Sequence, residues 1–373
     1  MRRLTSSIAL VVSAASVWAA DWTVFRGEPQ LRGTAAESLS LPLELAWRFE
    51  AADGIESTAA IRGDRVYFGS LDGKLHALDV ETGARRWTYD AGAEIRSSPA
   101  VRGGSVFVGD GAGVLHAVDA ESGKRLWKFE TGAEIVSSPN FSDDTLLFGS
   151  NDQTLYALAA NDGTLRWKVE TEGYVYGTPA IADGNAVSAG CDGVLRVVSL
   201  KDGAVIRQVD IGSYVGASPT ISGKRAYFGT FGEQVLAVDL SDGKIVWTYE
   251  HPERKFPFLS SAATNGEVVV VGGRDKMVHA IEAATGQPRW TWTARGKVDS
   301  SPVISGDRVF AAAQTGEIVA LDLKSGAEVW RFDTGSSILA SPSLGRGKLL
   351  IGTMDGQLLA FAPAKPRNGA TTE

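Results

Sequence analysis

The sequence contains one cysteine, Cys191, in 373 residues. A single thiol excludes an internal disulfide, a Cys-x-x-Cys metal or redox motif and a Cys-x-x-Cys-His haem attachment, so stability has to come from buried apolar surface. Histidine is nearly as scarce, with four in the chain. His76, His116 and His279 fall at the same place in separate repeats and cannot readily converge on one ion, and His251 has no cysteine or second histidine nearby. There is no G-x-S-x-G elbow and no Asp/Asn-rich calcium loop. Beyond residue 20 helical periodicity is absent.

Long apolar runs are confined to the start. Residues 1–20, MRRLTSSIALVVSAASVWAA, carry Arg2 and Arg3, an apolar stretch, then Val17 and Ala19 at cleavage-like positions. This is the pattern of a Sec-type signal peptide cut after Ala19, and the stretch falls short of the roughly 20 residues a spanning helix needs. Losing Arg2 and Arg3 leaves 35 basic against 44 acidic side chains, a formal charge of −9. That balance argues against nucleic acid as a partner. No cysteine adjoins the cleavage position, so no lipid anchor and no further membrane span are expected, and the location expected is periplasmic or secreted.

What the chain has in quantity is a repeat. DVETGARRW at residues 79–87 returns as DAESGKRLW, DLSDGKIVW and DLKSGAEVW. The turn glycines are Gly83, Gly123, Gly163, Gly203, Gly243, Gly286 and Gly326, spaced by 40 residues apart from one gap of 43. Four residues after each stands Trp87, Trp127, Trp167, Arg207, Trp247, Trp290 or Trp330, and Trp47 falls 40 residues before Trp87. A proline marker (Pro99, Pro139, Pro179, Pro219, Pro302, Pro342) has the same period, with Ala59 and Ala262 in the two remaining places. Within a unit, runs such as IRSSPAV, SVFVG, VLHAVDA and KRLWKFE are bounded by Gly, Asp and Ser, which is the chemistry of four short strands and their turns. A radial array of such units is a β-propeller.

The chain opens on a lone fourth strand around Trp47 and ends on a first, second and third strand. The predicted fold is therefore all-β, an eight-bladed propeller of four-stranded antiparallel blades closed by pairing the N-terminal strand with the last three. The expected division is a signal peptide at 1–19, a segment packing on the propeller at 20–43, the propeller at 44–362 and a flexible tail at 363–373. The recurring glycine supplies a positive φ at the hairpin, and Trp47, Trp87, Trp127, Trp167, Trp247, Trp290 and Trp330 are read as blade-docking pieces. Proline, which cannot donate to a ladder, is placed on the innermost strand.

The units AVDAESGKRLW and ALDLKSGAEVW, with SSPxV and VYFGS between them, resemble the repeats of pyrroloquinoline-quinone-type propellers, and most of all BamB-like outer-membrane protein assembly factors. DWTVFRGEPQLRG at residues 21–33 is similar to the W-x-x-FRG opening of many exported propellers of that superfamily. The resemblance implies a scaffold that helps outer-membrane protein assembly. The superfamily's dehydrogenases hold their quinone against two adjacent cysteines beside calcium, and this chain lacks that pair.

The expectation is thus a non-catalytic interaction scaffold, a monomer with no cofactor and no metal, whose partner is a protein or extended peptide such as envelope assembly machinery. Alternatives are a quinoprotein-like dehydrogenase and a small-ligand or glycan binder at the channel mouth. Loops joining fourth to first strands and second to third strands share one face. There the candidate contact residues are Arg254, Lys255, Phe256 and Phe258 in the loop of the 43-residue interval, Arg295 and Lys297, and Tyr174 and Tyr176, with Tyr214 in the corresponding segment of another blade.

Overall fold

Alternating short runs of Val, Leu, Phe and Ala, each closed by a glycine turn, form strands that pair with their immediate neighbours along the chain. The computed structural model describes residues 20–365. The signal-peptide expectation at 1–19, and all but the first three residues of the expected tail, lie outside the described residues.

Eight sheets are present. The first blade consists of Ala60–Arg62, Arg65–Gly69, Lys74–Asp79 and Arg85–Asp90, antiparallel throughout. Six further blades repeat it, ending with Val303–Ser305, Arg308–Ala312, Glu317–Asp322 and Glu328–Asp333. The eighth takes Ser343–Gly345, Lys348–Gly352 and Gln357–Pro363 from the C-terminal end and Leu43–Glu50 from the N-terminal end. The closing register runs from Leu43 opposite Pro363 to Glu50 opposite Gln357. Closure leaves the ring without a seam.

The innermost strands are shorter than the sequence implies. In the second blade the strand is Ala100–Arg102, so Pro99 stands just ahead of it rather than within it. The preceding serines are drawn into bonds between blades, described below, and leave the ladder.

Each blade-docking tryptophan reaches forward to the next blade. The indole Nε1–H groups donate to the carbonyls of Val80, Ala120, Ala160, Leu200, Ala283, Leu323 and Leu43 at 2.9–3.2 Å. The turn glycine has a second reason beyond its positive φ. The indole of the preceding blade lies on it, and a Cβ at Gly83, Gly123, Gly163, Gly203, Gly286 or Gly326 would come within 2.6–2.9 Å of that ring. Opposite each tryptophan, across the ladder, is an alanine.

Three of the four histidines sit between blades; His251, expected to have no second histidine nearby, has its ring 5.8 Å from that of His279. His116 Nε2 is 2.9 Å from Asp110, and Tyr89 of the preceding blade meets its Nδ1 at 2.9 Å. His279 is placed likewise against Asp275 and Tyr249. His76 stacks on Phe68, with centroids 4.9 Å apart, and meets Phe49 of the closing strand at 5.3 Å. Burial, the dominant cause, pushes its pKa down to about 4, against about 6.5 in an unfolded chain. Between these values the unfolded chain binds a proton that the folded one refuses, so this share of stability is complete above pH 6.5 and is lost as pH falls towards 4. Wild-type protein is expected to lose about 2 kcal/mol more than His76→Phe between pH 7 and 5, read from urea midpoints; equal losses would contradict the assignment.

Candidate functional site: a channel plugged at one end

The channel is closed at one end by the chain's own N-terminal segment. Its carbonyls accept the inward-facing N–H groups of successive innermost strands: Trp22 from Ile61, Thr23 from Val101, Pro29 from Ile181, Gln30 from Ile221, Arg32 from Thr264 and Gly33 from Ile304. At the third blade Asn140 Nδ2 donates to the Pro29 carbonyl at 2.9 Å. Thr34–Ala35 then adds a parallel fifth strand to the seventh blade. Edge groups that would otherwise face the lumen unpaired are thereby satisfied.

Arg26 pins this plug. Its side chain is fully buried and donates to the carbonyls of Ser301, Ala262 and Pro302 at 3.2, 3.1 and 2.5 Å. Burial lowers its pKa to about 9, so it keeps its charge at neutral pH, held by carbonyl dipoles. Gly33 lies against the guanidinium with φ +61°, and a Cβ there would fall 1.8 Å from Nη2.

Above the plug a polar cup of roughly 210 Å³ opens to the other face, with Phe25 in its wall. Its waist is a belt of hydroxyls, one per blade. The backbone N–H of Thr58 donates to Ser98 Oγ, and the pattern passes through Ser138, Thr178, Ser218, Ser261 and Ser301 to Ser341 at 2.8–3.1 Å. A hydroxyl that has accepted a bond keeps its proton to give, so the lumen presents O–H donors. The mouth is formed by Glu56, Arg96, Val136, Tyr176, Gly216, Leu259 and Leu339. Arg96 gathers Glu94 and Glu134 at 2.8 Å and Glu56 at 3.5 Å. Burial, with Glu94 and Glu134 nearby, raises the Glu56 pKa despite Arg96.

The sequence-predicted contact residues divide. Phe256 is 48% and Tyr174 47% exposed on the mouth face. Tyr176 is half-buried in the cup wall, its ring 5.8 Å from Tyr174. Phe258 is a correction: it is 1% exposed, packed between Gly229, Tyr249 and His279. It fills the place that Ile95, Ile135, Val175 and Val298 hold in other blades, all buried, and so cannot touch a partner. The basic candidates are largely neutralised. Lys255 pairs with Glu250 at 2.5 Å, Arg295 with Asp333 at 2.7 Å, and Arg254 donates to the Asp275 carbonyl; Lys297 is exposed without an ion pair among the described residues.

Tyr214, from that set, and Phe231, from outside it, join the exposed aromatics. Tyr214 is 62% and Phe231 42% exposed, and the Phe231 N–H bonds the Tyr214 carbonyl at 2.9 Å. With Tyr174 and Phe256 they make an arc of four exposed aromatics over the fourth to sixth blades, on the mouth face. Phe231 stands in the turn TFGEQ, and an aromatic in so tight a turn was the available signal.

Among the described residues no group of three or more His, Cys, Asp or Glu is arranged to hold a metal, and no helix is long and apolar enough to cross a membrane. Cys191 is partly buried; burial, and then the Asp192 charge, raise its pKa, so the thiol stays protonated.

A seamless ring of eight four-stranded blades, plugged from within at one end and cupped at the other, defines the class as an eight-bladed β-propeller. The sequence profile of the family described as outer membrane protein assembly factor BamB matches residues 44–140, 111–256 and 251–371, and the chain belongs to that family. BamB of Burkholderia pseudomallei (strain K96243) is 29% identical over 97 residues, 26% of this chain and 25% of that protein. BamB of Yersinia pestis is 28% identical over 132 residues, 32% of this chain and 33% of that protein. These matches span about a quarter to a third of the curated relatives' length. The crystal structure of BamB from Moraxella catarrhalis superposes with a TM-score of 0.74 at 19% identity, over 89% of this chain and all of that one. The quinohemoprotein alcohol dehydrogenase of Comamonas testosteroni gives 0.79 at 13% identity, over 95% of this chain and 82% of that one. At such identities the likeness is one of fold.

The cup does not fit the dehydrogenases' quinone. That group is itself polyanionic, and here three carboxylates share one guanidinium at the mouth, while Cys191 has no cysteine neighbour.

Proposed function

We propose that this chain is an exported, non-catalytic scaffold of the cell envelope that supports outer-membrane protein assembly by holding a protein or extended peptide against the mouth face. The observation that carries the reading is the aromatic arc of Tyr174, Tyr214, Phe231 and Phe256. Exposed aromatics gathered on one face are the usual anchors of a protein interface. The acidic cluster around Arg96 adjoins the arc and favours a partner with basic residues beside its apolar ones. Family membership and the BamB relatives support the assembly role; the signal-peptide pattern supports export.

The test is complementation. In a host lacking the chain, the wild type is expected to restore folded outer-membrane β-barrel proteins, while a variant with Tyr174→Ser, Tyr214→Ser, Phe231→Ser and Phe256→Ser restores few, at unchanged melting temperature. Equal restoration by both would contradict the reading. A second reading, a small acceptor-rich ligand in the cup, draws on the hydroxyl belt alone.

A further inference from the structure

Seven of the eight junctions between blades are filled by an indole; the one between the fourth and fifth is not. Arg207 holds the tryptophan's place in the register, opposite Val197 rather than alanine. Its guanidinium runs along the surface to the carbonyls of Ser241 at 2.8 Å and Asp242 at 3.0 Å. The arginine side chain and Val209 cover the turn, where a Cβ on Gly243 would lie 2.9 Å from Arg207 Cδ and 3.1 Å from Val209 Cγ2.

The interior of the slot stays open. A cavity of roughly 200 Å³ lies there, walled by Ala182, Val187, Val197 and Leu240 with Asn185 and Lys224 at its side. The Leu240 carbonyl stands where Val80, Ala120 and Leu200 each accept an indole N–H, and no donor among the described residues reaches it. Arg65 and Arg225 reach across to the corresponding carbonyls of the next blade, Ala120 and Ala283. Asn185, in their place, is too short and turns to Asp183. Between the first and second blades, where Trp87 is seated, the corresponding groove is wider, roughly 310 Å³, and is lined by Tyr67 and Ala120 but does not reach Ala77, the residue opposite Trp87; reach towards the residue across the ladder, not volume, sets the Arg207 slot apart.

We propose that this slot receives a tryptophan side chain in trans, from an extended segment of a partner protein, with the indole N–H donated to the Leu240 carbonyl. The seven seated indoles define the chemistry: a flat apolar ring with one donor, 2.9–3.2 Å from its carbonyl. An extended carrier is favoured by the adjoining outer strand. Val205 and Ile206 are 40% and 56% exposed there, where the first blade carries Arg85 and Arg86. At these two positions the edge lacks the charges that deter pairing in the first blade, while Arg207 and Asp210 remain in the strand and Ile245 and Val246 are similarly exposed in the fifth blade. The slot opens beside the turns on the plugged side of the ring, away from the aromatic arc, so it stands independently of the proposed function.

The test uses the chain from residue 20 onward and N-acetyl-tryptophanamide as probe, followed by methyl NMR. Saturable shifts are expected at Val187, Val197 and Leu240, absent with N-acetyl-leucinamide. A tryptophan-bearing peptide able to pair along Val205–Asp210 should bind at least tenfold more tightly than the amide. Arg207→Trp should abolish the shifts and raise the melting temperature. Should Val197 crowd the new ring, Val197→Ala with Arg207→Trp recreates the alanine–tryptophan pair of the other junctions. No saturable shift at these methyls, or shifts that persist in the filled variant, would overturn the site. A peptide no tighter than the amide would overturn the extended partner.

Discussion

A chain ending after Gly356 accumulates no folded protein: this is the largest effect expected of any change considered. The lost strand, Gln357–Pro363, is the third of the eighth blade and pairs on both sides, with Lys348–Gly352 and with Leu43–Glu50. Removing it exposes two edges at once and deprives the core of Leu358, Leu359, Ala360 and Phe361, all buried. Such edges are templates for aggregation. Phe361→Ala is the graded version, since its ring meets Phe332 at 4.8 Å and Trp330 at 5.6 Å. A loss of about 3–5 kcal/mol is expected for a buried phenylalanine. Soluble yield and circular dichroism report the truncation, and urea unfolding reports the point variant. A truncated chain with native spectra would show that closure is dispensable.

Arg26→Ala is expected to undock the plug while the ring survives. The substitution leaves the carbonyls of Ser301, Ala262 and Pro302 without their donor and opens a void beside Gly33. Charged hydrogen bonds are worth about 1.5–3 kcal/mol each, partly offset because a buried cation no longer has to be desolvated. A net loss of about 3 kcal/mol follows. Gly33→Val should act the same way from the other side, through both the contact and the positive φ. Limited proteolysis is the readout: cleavage should appear within residues 20–42, while a fragment containing the blades persists. A cleavage pattern unchanged from wild type would contradict the role given to Arg26.

The ring was legible in the sequence because its determinants recur locally. Gly83 and Trp87 lie in one hairpin and repeat with the blade, so the period counts blades and Trp47 betrays the displaced strand. Residues 20–43 are expected from the sequence to pack on the propeller, but their place as a plug in the channel was not legible, although DWTVFRGEPQLRG was conspicuous. The carbonyls that hold Arg26 lie 236–276 residues away, and any residue type supplies a carbonyl. Phe258 was misplaced for a different reason. Proximity to Phe256 and Pro257 suggested a loop surface, whereas its alignment with Ile95 and Val298 puts it in the core. Charge on the mouth face misled similarly, because Arg295 and Lys255 have acidic partners that sequence position does not reveal. Arg207 was visible as the one break in the tryptophan series, but the opening behind it appears only in the folded chain.

The central claim is that the mouth face works by contact through its aromatic arc. It is tested most directly by placing a photocrosslinking amino acid at Tyr214 and Phe256 in living cells, with Lys324, exposed on the opposite side, as control. Discrete adducts from both arc positions, to outer-membrane assembly components or their β-barrel substrates, and none from Lys324, are the expected result. Adducts from the control alone, or none from the arc, would contradict the account.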